Sequence, residues 1–114
     1  MSTVRSRQTL RYLLVESQES ATEEALAFVG DGAVQARAGH EVTLFLVQGG
    51  VSLALGDRPE LADFLDAGGR LLADRFSLDQ RGIAASALRP ETIPAEMDEI
   101  ARLVLDPAVR TVWH

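Results

Sequence analysis

Short apolar runs alternate along this chain with stretches of helical periodicity. Residues 10–15, Leu-Arg-Tyr-Leu-Leu-Val, are mostly apolar and too short for an uncapped helix, which predicts a strand buried on both faces of a parallel sheet. Ser20-Ala-Thr-Glu23 has the spacing of a capping box, and Leu26, Val29 and Ala33 follow on one helical face. A helix is therefore predicted to about Ala38, with Gly39 ending it. Gly30 and Gly32 inside it each cost about 1 kcal/mol against alanine, which predicts a kink or a close approach to a neighbouring backbone.

The run Glu41-Val-Thr-Leu-Phe-Leu-Val47 is β-branched and aromatic and predicts a central strand, left through Gln48-Gly49-Gly50. After a short turn over Ser52 to Leu55, Asp57-Arg-Pro-Glu60 opens a second helix that places Leu61, Phe64 and Leu65 on the sheet, and Gly68-Gly69 close it. Arg70-Leu-Leu-Ala73 predicts a third strand. Ser77-Leu-Asp-Gln80 repeats the capping-box spacing and predicts a helical turn that Gly82 terminates. In residues 83–94 Pro90 and Pro94 limit regular structure, and Thr92-Ile93 suits a short extended piece. Pro94 suits the first turn of a helix carrying Met97, Ile100, Ala101 and Val104; Asp106-Pro107 breaks it, and Val109 to Trp113 predicts the last strand. Strands alternating with helices imply an α/β fold: a three-layer α/β/α sandwich on a mostly parallel sheet of four or five strands, with right-handed crossovers. Its 114 residues suffice for one domain over 1–114 and are too few for two independent cores.

Composition narrows the chemistry. The chain has no cysteine, which excludes disulfides, thiolate catalysis, Cys-ligated zinc and iron–sulfur clusters in its own side chains. A net charge of −6, with the 11 basic residues scattered, argues against nucleic-acid binding. All 11 are arginine, from which no function follows. No apolar stretch approaches the roughly 20 residues of a membrane helix, and the first eight residues do not read as a signal peptide. A cytoplasmic protein is expected.

In open α/β sheets ligands lie beyond the carboxyl ends of the strands. Those positions hold Glu16, Ser17 and Gln18; Gln48, Gly49, Gly50 and Ser52; and Asp74, Arg75, Phe76 and Ser77, with Arg81 one helical turn further on. The glycine pair would offer backbone amides to an anion or simply make a tight turn. Ser77 would serve as a nucleophile or, more simply, as a helix cap. Arg75 and Arg81 would bind an anion or pair with Asp74, Asp79 and Glu16. His40 sits at the turn after Gly39, His114 is expected to be either mobile or docked at a subunit contact, and two unclustered histidines make no metal site. Trp113 is assigned to packing, either core or subunit interface.

Four segments together carry a family resemblance: Gly39-His-Glu-Val-Thr-Leu-Phe-Leu-Val-Gln-Gly-Gly-Val51, Gly68-Gly-Arg-Leu-Leu-Ala-Asp74, Arg81-Gly-Ile83 and Val112-Trp113. In this order, over nearly the whole length, the chain resembles the DsrE/DsrF/DsrH-like family. The resemblance implies a compact α/β/α domain assembling into homo- or hetero-oligomers, commonly trimers or hexamers. Several members relay sulfur as a persulfide on a cysteine shortly before the Arg-Gly pair, and Ser77 stands at the matching position here. A serine hydroxyl carries no transferable sulfane sulfur, so that chemistry is closed to this chain's own side chains.

Two classes of function remain. One is a cofactor-free binding module, in which Gln48, Gly49, Gly50, Ser77 and Arg81 hold a small anionic or sulfur-containing ligand or dock a thiol-bearing partner. The other is a cofactor-independent enzyme using Ser77 or a rim carboxylate, Glu16 or Asp74. The first is preferred, because no Ser-His-Asp order, paired-carboxylate motif or cofactor fingerprint is visible. Trp113, Phe76 and the apolar turn after Gly50 are candidate subunit contacts.

Overall fold

The computed structural model describes residues 9–19 and 22–114. Its strands are β1 (Arg11–Glu16), β2 (Glu41–Leu46), β3 (Arg70–Asp74), β4 (Ile93–Ala95) and β5 (Val109–Trp113). The helices are α1 (Glu23–Arg37), α2 (Pro59–Asp66), α3 (Arg75–Gln80) and α4 (Met97–Leu105), and a 3-10 helix covers Gln48–Ala54. The five strands form one sheet in the order β4-β3-β2-β1-β5, and every pairing is parallel.

The chain steps from β1 to β4 in one direction across the sheet and then returns past β1 to add β5 at the far edge. The outward steps put α1 and α2 on one face, and the return puts α4 on the other. Side-chain alternation follows. Leu14, Leu44, Leu46, Leu71 and Ala73 face α1 and α2, packing with Val29, Ala33, Leu61 and Phe64. Leu13, Val15, Phe45, Leu72 and Ala95 face α4 and pack on Ile100 and Leu103. The α4 face is the thinner layer. One register row crosses all five strands there as Ile93, Leu72, Phe45, Val15 and Trp113, buried in the middle and exposed at both ends.

Several element ends differ from the sequence pattern. Ser20, the expected cap of α1, lies outside the described residues; Thr22 caps the helix, its Oγ1 accepting from the Ala25 amide at 3.1 Å. Helix α1 is continuous. A methyl group on Gly32 would sit 2.8 Å from the Leu14 side chain and 3.2 Å from that of Phe64, so Gly32 is pressed on side chains rather than on backbone, and Gly30 is open. Pro94 lies in β4, not in a helix; β4 is an edge strand, where a missing N–H leaves no inner ladder unpaired. Helix α4 then starts at Met97. Between α3 and β4, residues 85–87 form a 3-10 turn and Leu88 bridges Leu55, with the Arg89 amide donating to the Ala54 carbonyl at 2.9 Å. Val51, Leu53 and Ala54 are buried, which removes the turn after Gly50 from the candidate subunit contacts. Among the described residues no helix is long and apolar enough to cross a membrane.

Asp106 fixes the turn from α4 into β5. Its carboxylate accepts from the Ala108 amide at 2.9 Å and from the Arg11 guanidinium at 3.0 Å. The Ala108 hydrogen bond, and after it the one from Arg11, holds the carboxyl below its ordinary range. A lowered folded-state value contributes stability that is full at neutral pH and lost as the pH falls through the carboxylate range. Urea midpoints measured across that range should therefore drop less steeply for Asp106→Asn than for the wild type.

Candidate functional site

The carboxyl ends of β1, β2 and β3 carry the residues expected at a site, and hydrogen bonds join three of them, Asp74, Ser77 and Gln48, into one unit. Strand β3 runs straight into α3 without a loop, so the last strand residue, Asp74, is also the helix cap. Its Oδ2 accepts from the Ser77 amide at 3.0 Å and from Ser77 Oγ at 2.6 Å. Ser77 is therefore inside α3, not at its start. The same Oγ accepts from the Gln48 amide at 2.8 Å, which ties α3 to the segment leaving β2.

Ser77 is 2% exposed and Asp74 2%. The single hydroxyl hydrogen goes to the carboxylate and a lone pair to the Gln48 amide, so the group is held by both neighbours and shielded from solvent. This arrangement braces a loop. It leaves the Ser77 hydroxyl engaged on both sides, and no imidazole among the described residues bonds to it. Strand β5, which leads to His114, lies three places from β3, about 14 Å at ordinary strand spacing.

Gln48 is the residue the brace presents. Its backbone φ is +54°, the left-handed region that side chains other than glycine avoid, and its side chain is exposed. Such a conformation costs of order 1–3 kcal/mol and persists only where the surroundings over-determine it. The Ser77 hydrogen bond is one of those determinants.

The glycine pair makes a close backbone contact, a role beyond the tight turn and the anion cradle between which its sequence left a choice. A Cβ on Gly49 would fall 2.6 Å from the Glu19 Cα, and one on Gly50 would overlap the Glu16 carbonyl oxygen. Both residues are buried, and the Gly50 amide already donates to the Val47 carbonyl at 2.9 Å. They let the 3-10 helix lie directly on the chain leaving β1. Arg81 ends α3, is exposed, and makes no ion pair among the described residues. Arg75 is paired with Glu96 at 2.8 Å. Phe76, 67% exposed, stands out from α3, and Trp113 is 63% exposed rather than in the core.

Glu16 and His114 form a second polar unit that sequence reasoning missed. Glu16 is fully buried, and both its carboxylate oxygens face His114 Nδ1, at 2.8 and 3.0 Å. Parallel pairing of β1 with β5 brings them together across 98 positions of sequence, where no local pattern could have shown it. His40 lies at the other end of the sheet, where its Nδ1 accepts from the Leu10 amide at 3.0 Å. Among the described residues no three His, Cys, Asp or Glu side chains are disposed to hold a metal. A cavity of about 160 Å³ opens at the amino ends of the strands, lined in part by Arg11, Glu41 and Arg70. Arg11 there is neutralised by Glu41 and Asp106, both at 3.0 Å, so the cavity has no strong anion-binding group of its own on β1.

The fold and the rim define a compact α/β protein with a five-stranded all-parallel sheet. Solved structures share it. The ychN protein of E. coli superposes with a TM-score of 0.76 at 17% sequence identity, covering 91% of this chain and 100% of that one. MTH1491 of Methanobacterium thermoautotrophicum, a protein of unknown function, superposes with a TM-score of 0.74 at 11% identity, covering 94% of this chain and 100% of that one. No family model matches this chain, and no curated protein matches it in sequence.

Proposed function

We propose that this protein is a cysteine-free, DsrE-like binding module that works without a nucleophile of its own. The observation that carries the reading is the state of Ser77, buried and engaged by both the Asp74 carboxylate and the Gln48 amide. A residue in that position holds the loop rather than reacting. What the brace leaves outward is recognition chemistry: the exposed Gln48 amide side chain in its constrained backbone, the Arg81 guanidinium and the Phe76 ring. A small anionic or sulfur-containing ligand, or a partner's thiol-bearing segment, suits that set, with Arg81 supplying the charge-assisted contact. Gly49 and Gly50 serve the site by letting the 3-10 helix sit close to β1. The exposed Phe76 and Trp113 are the contacts by which copies of this chain would assemble into a trimer or hexamer. The setting proposed for the module is the cytoplasm.

Calorimetric titration with thiosulfate, sulfite, phosphate and nucleotides tests the reading. Saturable heat from one of these without product formation is the expected result, and Arg81→Ala should weaken it about tenfold, the scale of one charged hydrogen bond. Turnover of a substrate that Ser77→Ala abolishes would instead establish the enzyme. Light scattering reports the assembly separately.

A further inference from the structure

The two edges of the sheet are finished differently. An edge strand offers unpaired backbone groups to any further strand, and proteins blunt such edges with short strands, proline or a covering element. Strand β4 is blunted in this way, having only 3 residues, one of them Pro94. Strand β5 is not. Its 5 residues, Val-Arg-Thr-Val-Trp, are β-branched or aromatic except for Arg110, and none is proline.

Hydrogen bonds fix which groups of β5 face outward. The His114 N–H donates to the Val15 carbonyl at 2.8 Å and its carbonyl accepts from the Ser17 amide at 2.9 Å, so His114 turns its backbone toward β1. Successive residues of a strand turn their backbone groups to opposite sides. The N–H and C=O groups of Thr111 and Trp113 therefore point away from β1, and they have no partner among the described residues. Val109 faces outward with them; its amide donates to the Asp106 carbonyl at 3.0 Å, which leaves its own carbonyl open.

The side chains of β5 divide between the two faces. Trp113 lies in register with Val15, so Val109, Thr111 and Trp113 are on the α4 face. Val112 lies in register with Leu14, so Val112 and Arg110 are on the α1 face. There Val112, 44% exposed, lines an apolar groove of about 210 Å³ to which Tyr12 and Asp31 also contribute. Asp31 and Arg110 are both exposed, and neither makes an ion pair among the described residues.

We propose that β5 pairs antiparallel with β5 of a second copy of this chain, about a twofold axis that passes through Thr111 perpendicular to the sheet, joining the two sheets into one. Thr111 then exchanges both its backbone hydrogen bonds with the partner's Thr111, and the Trp113 amide donates to the open carbonyl of the partner's Val109. The occupant is a second copy because this strand complements its own reverse. Trp113 meets the partner's Val109 on the α4 face, an aromatic against a β-branched side chain, and no like charges face each other. On the α1 face the partner's Arg110 stands opposite Val112, at the groove that Asp31 lines, so a guanidinium and a carboxylate left unpaired in each copy become neighbours. A twofold contact makes a dimer by itself, or a hexamer by joining two trimers. The proposal rests on the reading that copies assemble through Trp113 and owes nothing to the ligand at Gln48 and Arg81. A strand edge is narrower than the roughly 800 Å² per partner of a standard interface, so micromolar association is expected.

Two features of the composition make the test direct: Trp113 is the chain's one tryptophan, and there is no cysteine. Sedimentation equilibrium and tryptophan emission, followed on the same dilution series of the full chain, should show mass falling and emission shifting to the red together. Arg110→Asp should weaken the association about tenfold, and adding Asp31→Arg to the same chain should restore it. Thr111→Cys should form disulfide-linked pairs under mild oxidation, since opposed residues of a hydrogen-bonded antiparallel pair have Cα atoms about 5.5 Å apart, within bridging range. Asp57→Cys, at an exposed position away from β5, should not. Assembly with unchanged tryptophan emission, or Thr111→Cys linking no faster than Asp57→Cys, overturns this edge and leaves assembly through another surface standing. A monomeric mass at every concentration overturns both.

Discussion

Gly50→Ala should cost this protein about 3 kcal/mol or more of stability, a large part of the 5–15 kcal/mol that ordinary domains possess. The added methyl group would overlap the Glu16 carbonyl oxygen, which already accepts the Val47 amide at 3.0 Å. Neither side of that contact is a flexible side chain. Relief would require moving the 3-10 helix off β1 or pulling Glu16 out of register with β2, and the second movement also disturbs the carboxylate facing His114. Gly30→Ala is the matching control. It lies in the interior of α1 with nothing within 4 Å of the new methyl group, and should stabilise the protein by about 0.5–1 kcal/mol. Urea midpoints moving in opposite directions, with unchanged slopes, would separate close approach from a general intolerance of substitution. The comparison bears on function too. A glycine kept open for a ligand would give a Gly50→Ala protein of normal stability that no longer binds. A glycine kept for packing gives one that barely folds.

The strands were legible because β1, β2 and β3 are covered on both faces, so their sequences are continuous apolar runs bounded by polar or glycine residues. The helix ends were less so. Asp74 to Ser77 and Ser77 to Gln80 have the same cap spacing, and only the direct passage from β3 into α3 decides that Asp74 is the cap. Pro94 suited a helix start equally well as an edge strand, and its pairing with Ala73 chose the strand. The rim positions Gln48, Ser77 and Asp74 were found because each lies at or just beyond the carboxyl end of a strand, a local property. What bonds to what among them was not local. Sequence alternation of strand and helix leaves strand order open, and the placement of β5 beside β1 creates the pair of Glu16 and His114. The glycine pair was ambiguous for a related reason: a tight turn, an anion cradle and a close backbone contact all use glycine, and the neighbour that distinguishes them is the chain leaving β1.

Asp74→Ala should cost about 2–3 kcal/mol, although it removes only one small side chain. The carboxylate caps α3, a contribution of about 1 kcal/mol for an ordinary helix, and α3 has only six residues over which to recover it. It also receives the Ser77 hydroxyl in a charge-assisted bond of the kind worth roughly 1.5–3 kcal/mol. These contributions share one oxygen, Oδ2, and so are coupled rather than additive. With the acceptor gone, Ser77 Oγ has no buried partner for its hydrogen, and its grip on the Gln48 amide loosens in turn. Gln48 would then relax from φ +54°, which recovers some strain and offsets part of the loss. Asp74→Asn keeps an acceptor for the Ser77 amide and hydroxyl without the charge, and should cost less than half as much. Hydrogen exchange at the Gln48 amide distinguishes a brace from a plain helix cap. Faster exchange there in Asp74→Ala, at a temperature where the core amides remain protected, is the result expected of the brace. Unchanged exchange at Gln48 beside a frayed α3 would reduce Asp74 to a cap and leave the backbone conformation of Gln48 to be set by the glycine packing alone.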